Sequence, residues 1–416
     1  MTTEILGADR SGSAPHGLFP RALHRVLGRL QQGTLTLQDG SARYRFGDGS
    51  EPRATVQVRR SEFYRRLVLG GSVGAGEAYM DGDWTCDDLV SLVRLLARNA
   101  SVLEQMDGIG SIAVQAANLL QHLTRRNSRA GSRRNIQAHY DLSNAFFATF
   151  LDGHMMYSAA VYERPGASLE EASEAKLERV CRKLELGPDD HLLEIGTGWG
   201  GLAVYAARRF GCRVTTATIS PAQHAAAQER VRAAGLEHRV EVLLRDYRDL
   251  QGRYDKLVSV EMVEAVGHQY LDQYFATLDR LVRPGGLIVL QAITIEDRRY
   301  RQALRSVDFI KKHIFPGSFI PSVSALVASA AAHTDAVLVN LEDIGLDYAR
   351  TLREWRMRAD ARREAILALG FDERFLRMWR FYLAYCEGGF LERAISDVQL
   401  VFAKPGYRSQ PWRAAL

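Results

Sequence analysis

Polar and apolar residues alternate over GTLTL at 33–37 and ATVQV at 54–58, and β-branched residues are frequent in both. With the turn-rich QDGS at 38–41 and GDGS at 47–50 between them, these segments predict two short strands of a small antiparallel sheet. Spacing near the helical period follows over 61–69 and 86–97 and predicts two helices. The intervening stretch 70–84, GGSVGAGEAYMDGDW, is rich in glycine, but no Gly-Lys-Ser/Thr phosphate-binding triplet closes it. It is expected to form a tight structural loop.

From about residue 172 the pattern changes to helices alternating with short apolar runs. Helices are expected over 171–186, 201–210, 221–234 and 270–281. Strands are expected over 191–195, 213–219, 240–244, 256–260 and 287–293. Helix and strand alternating across short connections predict an α/β fold with a doubly wound, mostly parallel, Rossmann-like sheet. A small α+β domain precedes it. The expected division is an N-terminal domain over 1–124, a basic linker over 125–134 and a catalytic domain over 135–416.

Composition narrows the class. With 416 residues, 46% hydrophobic and 25% charged, collagen-like, coiled-coil and largely disordered chains are excluded. Four scattered cysteines without a C-x-x-C pair indicate neither a zinc knuckle nor a disulfide framework, and no metal-ligand spacing stands out. No signal peptide and no membrane-spanning run is evident, so a cytoplasmic location is expected. The formal net charge of +5 is unevenly placed. Residues 1–134 carry 18 Arg against 13 acidic residues, whereas the rest of the chain is balanced. The excess peaks at Arg125, Arg126, Arg129, Arg133 and Arg134, directly after the apolar, helix-compatible segment 109–123. Such a cluster reads either as a solvated linker or as a contact with anionic lipid.

The first strand of the alternating run leads into Glu194-Ile-Gly196-Thr-Gly198-Trp-Gly200 and then a helix. Glycines there let a ligand approach the backbone and the helix N-terminus. A dinucleotide fingerprint would place a carboxylate about 20 residues further on, at the end of the second strand. That position reads Thr218-Ile-Ser-Pro-Ala-Gln223. Acidic residues lie instead at Glu194 and at Asp246, beside Tyr247. The arrangement resembles the loop of S-adenosylmethionine (AdoMet) methyltransferases.

Further motifs carry a narrower resemblance: HYDLSN at 139–144, Met156-Tyr157-Ser158, EMVEAVG at 261–267, FIKKHIFPG at 309–317 and IGLDY at 344–348. In this order, and with the GAGEAYMDGDW segment ending at Trp84, they resemble the cyclopropane-fatty-acyl-phospholipid synthases over nearly the whole chain. The resemblance implies that AdoMet is held by Tyr157, Ser158, Glu194, Gly196, Gly198, Gly200, Thr218, Gln223, Asp246 and Tyr247. It places Glu264, Tyr348, Gln291, Ile293 and His139 at the reaction centre, where the family binds a bicarbonate that serves as base. It implies as substrate the unsaturated acyl chains of phospholipids at an anionic membrane surface, with peripheral docking at its inner face, a homodimer and no nucleic-acid partner.

Three positions depart from the best-known members: Ala159 replaces Cys, Ala265 replaces His, and Gln291 replaces His. Thr197, Ala265 and Gln291 resemble a branch that includes plant cyclopropane synthases and actinobacterial enzymes making 10-methylene or 10-methyl chains. Ring, methylene and methyl-branched products all remain open, and a heteroatom methyltransferase is the more distant alternative. For an alkene attacked by a sulfonium methyl, the chemistry needs exclusion of water and one base for the resulting cation. Glu264 is expected to act directly or through bicarbonate, with Gln291 and Tyr348 donating to the anion. Phe146, Phe147, Tyr247, Phe309 and Phe315 are candidate aromatic faces for the cation.

Overall fold

The computed structural model describes residues 10, 11, 16–101 and 143–409. His139, the apolar segment 109–123 and the basic linker 125–134 lie outside the described residues. The chain forms two compact units.

The first unit takes the described residues up to 101 together with 306–314 and 363–394. Its sheet contains β1 (Arg10–Ser11), β2 (Thr34–Asp39), β3 (Ala42–Gly47), β4 (Arg53–Val58) and β5 (Trp84–Cys86) in the order β1-β3-β2-β4-β5. The two segments anticipated as antiparallel partners, β2 and β4, instead run parallel. The intervening chain makes an additional strand, β3, which pairs with the outer side of β2 and leaves its other edge to β4. The glycine-rich stretch also departs from expectation. Glu62–Met80 is helical, kinked at Gly71 where φ is 53°. Its glycines serve packing rather than a loop: a Cβ on Gly76 would come within 2.3 Å of Phe309, and one on Gly74 within 2.1 Å of the Arg66 carbonyl. Leu89–Arg98 is capped by Asp88 and packs against Glu373–Leu391, where a Cβ on Gly388 would meet Val93 at 2.7 Å.

The second unit takes the described residues of 143–305, 315–362 and 395–409. Its seven strands are β6 (His191–Ile195), β7 (Arg213–Thr218), β8 (Val240–Leu244), β9 (Tyr254–Val260), β10 (Val282–Ile295), β11 (Val337–Asp343) and β12 (Ile395–Ala403). They lie in the order β11-β12-β10-β9-β6-β7-β8. The five strands expected from the sequence are mutually parallel, and β12 and β11 extend the β10 edge in antiparallel fashion. Strand alternation sends Leu193, Ile195, Leu257 and Leu290 to one face, packed with helix Leu271–Leu281. Leu192, Val214, Val258 and Val289 go to the other, under helices Leu169–Lys183 and Gly201–Phe210. A capping box between Ser168 and Glu171 fixes the start of Leu169–Lys183. The fold is that of a doubly wound α/β protein, and its ligand crevice is expected at the carboxyl ends of the strands. Among the described residues no helix is long and apolar enough to cross a membrane.

Candidate active site

The glycine loop leaves β6 with Gly196, Gly198 and Gly200 all at positive φ. Two of its glycines answer different needs. A Cβ on Gly198 would meet nothing within 4 Å, so this part of the loop faces open space. A Cβ on Gly201 would lie 2.3 Å from the His154 carbonyl, so close backbone packing anchors the helix that follows. Glu194 is 4% exposed, and its Oε2 is buried without a hydrogen-bond partner. Burial pushes its carboxyl up to about 8, against the opposing effects of Thr216 and the Lys176 charge.

Around this loop, Thr218 donates to Gln223 Oε1 at 2.9 Å, and Ser220 caps the helix that carries Gln223. Asp246 accepts from Arg248 Nε at 2.8 Å and Nη2 at 2.6 Å. Tyr247 packs edge-on against Tyr274. The Tyr157 ring stacks on Trp355 at 5.2 Å and also meets Phe147 and Phe315. Ser158 accepts from Lys176 Nζ at 2.9 Å. The open face at Gly198 and the unpartnered acceptor of Glu194 fit AdoMet, which supplies an electrophilic methyl on sulfonium when bound. Gly196, Gly198, Gly200, Thr218, Gln223 and Asp246 occupy the carboxyl-end rim where a nucleoside would be held.

A second cluster begins just beyond β9. Glu261 follows the strand directly with φ at 47°, and its N–H donates to the Gln291 carbonyl at 2.7 Å. A left-handed non-glycine residue costs about 1–2 kcal/mol, so its surroundings must impose the turn. Its carboxylate collects three donors: Ala159 N–H to Oε1 at 2.7 Å, Gln291 Nε2 to Oε1 at 2.8 Å, and the Tyr348 hydroxyl to Oε2 at 2.7 Å. The amide of Gln291 has no freedom to turn, because Gln399 Nε2 donates to its Oε1 at 3.0 Å. Its Nε2 also reaches Asp397 Oδ2 at 3.0 Å.

Glu264, on the next turn, is placed differently. Ile293 N–H donates to its Oε1 at 2.6 Å, whereas Oε2 is buried without a partner. Burial first, and the Glu261 charge second, push Glu264 up to about 8. Asp397 is raised well above the ordinary carboxylate range, by burial and then by Glu261 and Glu264. Burial also raises Glu261, but Tyr348, Ala159, Lys176 and Gln291 all favour its charged form. One negative charge shared by such a group settles on the carboxylate with the most donors, which is Glu261. Lys176 supplies the buried positive charge and is itself lowered by burial to about 8.

The structure thus brings Glu264, Tyr348, Gln291 and Ile293 together, but it assigns the Tyr348 and Gln291 donors to Glu261. The donors expected to hold a bicarbonate are already engaged by a side-chain carboxylate, and a second small anion there would meet the carboxyls of Glu261, Glu264 and Asp397. Of the aromatic candidates, Phe147 and Phe315 flank Tyr157, Phe146 packs in the core against Phe147 and Phe150, and Tyr247 sits on Tyr274. Phe309 belongs to the first unit, packed on Phe381 and His313, because Gly76 leaves a niche that its ring fills. Glu261, Asp397, Lys176 and Gln399 received no role from the sequence. Lys176 was detectable as a charged residue in the otherwise uncharged 172, 173, 176, 177, 180 stripe of its helix.

Fold and loop define an AdoMet-dependent methyltransferase. The chain belongs to the mycolic acid cyclopropane synthetase family, whose model matches residues 127–400. It is 37% identical over 415 residues to the tuberculostearic acid methyltransferase UfaA1 of Mycobacterium tuberculosis, covering 94% of each chain. It is also 37% identical over 359 residues to the cyclopropane-fatty-acyl-phospholipid synthase of Escherichia coli, covering 86% of this chain and 89% of the relative. Among solved structures, mycolic acid cyclopropane synthase CmaA1 complexed with SAH and CTAB matches 65% of this chain and 98% of its own, with 30% identity and a TM-score of 0.61.

Proposed function

We propose that this protein is a C-methyltransferase of the cyclopropane-fatty-acyl-phospholipid synthase type, which adds the AdoMet methyl to the cis double bond of an unsaturated phospholipid acyl chain. The observation that carries this reading is the buried carboxylate cluster of Glu261, Glu264 and Asp397, set beside the aromatic wall of Tyr157 and Trp355. An alkene has no proton to lose before attack, so the chain's work is to orient it, exclude water and receive a proton afterwards. Negative charge and aromatic faces oppose the positive charge that develops on the acyl chain, each face worth up to about 2 kcal/mol when desolvated.

Tyr157, Ser158, Gln223 and Asp246 orient the donor in this reading, and the basic residues near 125–134 bring the chain to an anionic surface from its inner face. The likeness to UfaA1 along 94% of both chains supports a second product, in which a hydride shift and loss of a proton give a methylene branch instead of a ring, a methyl branch then requiring a separate reduction by a hydride donor. The test is expression in a host lacking its own synthase, followed by gas chromatography and mass spectrometry of the fatty acids. Acyl chains carrying one additional carbon are expected, and their fragmentation separates ring, methylene and methyl forms. Unchanged fatty acids alongside a methylated soluble amine or hydroxyl compound would overturn the proposal.

A further inference from the structure

The anion cradle of this site is filled from within the chain. Three donors converge on one point: a backbone N–H on Ala159, an amide pinned by Gln399, and the hydroxyl of Tyr348. What they hold is the carboxylate of Glu261, carried there by a left-handed residue immediately beyond β9. Glu264, by contrast, receives one backbone N–H and leaves an oxygen without any donor in a buried position. A carboxylate with three donors is stabilised as the anion, whereas one with a single donor in an apolar site keeps its proton.

We infer that Glu261 is the base of the reaction and that no added anion takes part. The inference rests on the acyl-chain reading above and supplies its proton acceptor. In the first step the alkene's π pair makes the new C–C bond to the donor methyl, and the pair of the breaking C–S bond stays on sulfur as a neutral thioether. The neighbouring alkene carbon becomes a cation. In the second step Glu261 takes one proton from the added carbon. The released C–H pair closes on the cationic carbon to form the ring, or, after a hydride shift, forms the double bond of a methylene group. Glu261 ends neutral and returns its proton to solvent before the next cycle. Glu261 accepts from two donors at Oε1 and from the Tyr348 hydroxyl at Oε2, and it also shares a hydrogen bond with Asp397.

This arrangement carries a consequence for protonation. Asp397 and Glu264 stay neutral beside Glu261, so the buried site holds one anion opposite Lys176 rather than three. A bicarbonate would bring a second anion into the same space, where the three donors named above are already engaged by Glu261.

The experiment measures acyl-chain methylation by the full-length protein on unsaturated phospholipid vesicles, in carbon-dioxide-free buffer and with millimolar bicarbonate added. Wild-type turnover is expected to be the same, within about twofold, in both. Glu261→Gln is expected to lose at least about 100-fold in kcat, the scale of a general base, with AdoMet binding retained. Glu261→Gly relieves the left-handed backbone and empties the cradle, so its low turnover is expected to recover about tenfold with formate or bicarbonate. Wild-type turnover that falls about tenfold without bicarbonate, or a Glu261→Gln variant within about threefold of wild type, would overturn the assignment. Absence of any acyl-chain turnover by the wild type would overturn the substrate reading and this inference with it, whereas the two preceding results leave the substrate reading standing.

Discussion

Two glutamates three positions apart, Glu261 and Glu264, differ in what their carboxyls touch, and this sets their charge. Glu264 is raised from 4.5 to about 8 in the folded chain. Its contribution to stability is therefore whole below pH 4.5 and is lost as pH rises through about 8, at up to about 1.4 kcal/mol per pH unit. Glu264→Gln should keep the Ile293 contact and lose less stability than the wild type between pH 5 and pH 8 in urea titrations; parallel losses would show that Glu264 is not held neutral. Lys176 acts oppositely, since its charge favours ionised Glu261. Lys176→Met should move the acidic limb of the kcat profile to higher pH, and an unmoved limb would separate Lys176 from the base. Glu264, Gln291 and Tyr348 were legible from motifs, but Glu261 was not, because an adjacent carboxylate in the same motif carries the same chemistry on paper. Only the donor geometry tells them apart.

Strands β6, β9 and β10 were legible because parallel strands buried on both faces read as apolar runs between helices, and β7 and β8 because β-branched residues recur between helical patterns. β3 was hidden in RYRFG, where exposed arginines alternate with Tyr44 and Phe46 between two turn signals. The segment 70–84 misled for a related reason: glycines chosen for close contact with Phe309 and the Arg66 carbonyl look the same in sequence as glycines of a loop. The glycine loop after β6 makes a paired prediction. Gly198→Ala adds a methyl at φ of 51° into open space, costing roughly 1–2 kcal/mol of stability but abolishing AdoMet binding by calorimetry. Gly201→Ala drives a methyl into the His154 carbonyl, and about 3 kcal/mol of overpacking should lower Tm by roughly 5–10 °C. Equal effects of the two on binding and Tm would contradict the division of roles.

The whole molecule divides less simply than its sequence suggests, because 306–314 and 363–394 pack with the N-terminal unit. Local periodicity reveals that a helix such as Glu373–Leu391 has an apolar side, but not which core receives it. The basic excess of residues 1–134 belongs to this scale as well. Replacing Arg125, Arg126, Arg129, Arg133 and Arg134 by Ala should weaken co-sedimentation with anionic vesicles at low salt, by about 1 kcal/mol per residue at most. Undiminished binding would place the lipid contact elsewhere. The most direct measurement incubates purified protein with AdoMet and vesicles of unsaturated anionic phospholipid, then quantifies both products. S-adenosylhomocysteine and acyl chains carrying one added carbon are expected in equal amounts; S-adenosylhomocysteine without any modified acyl chain would contradict the acyl-chain reading.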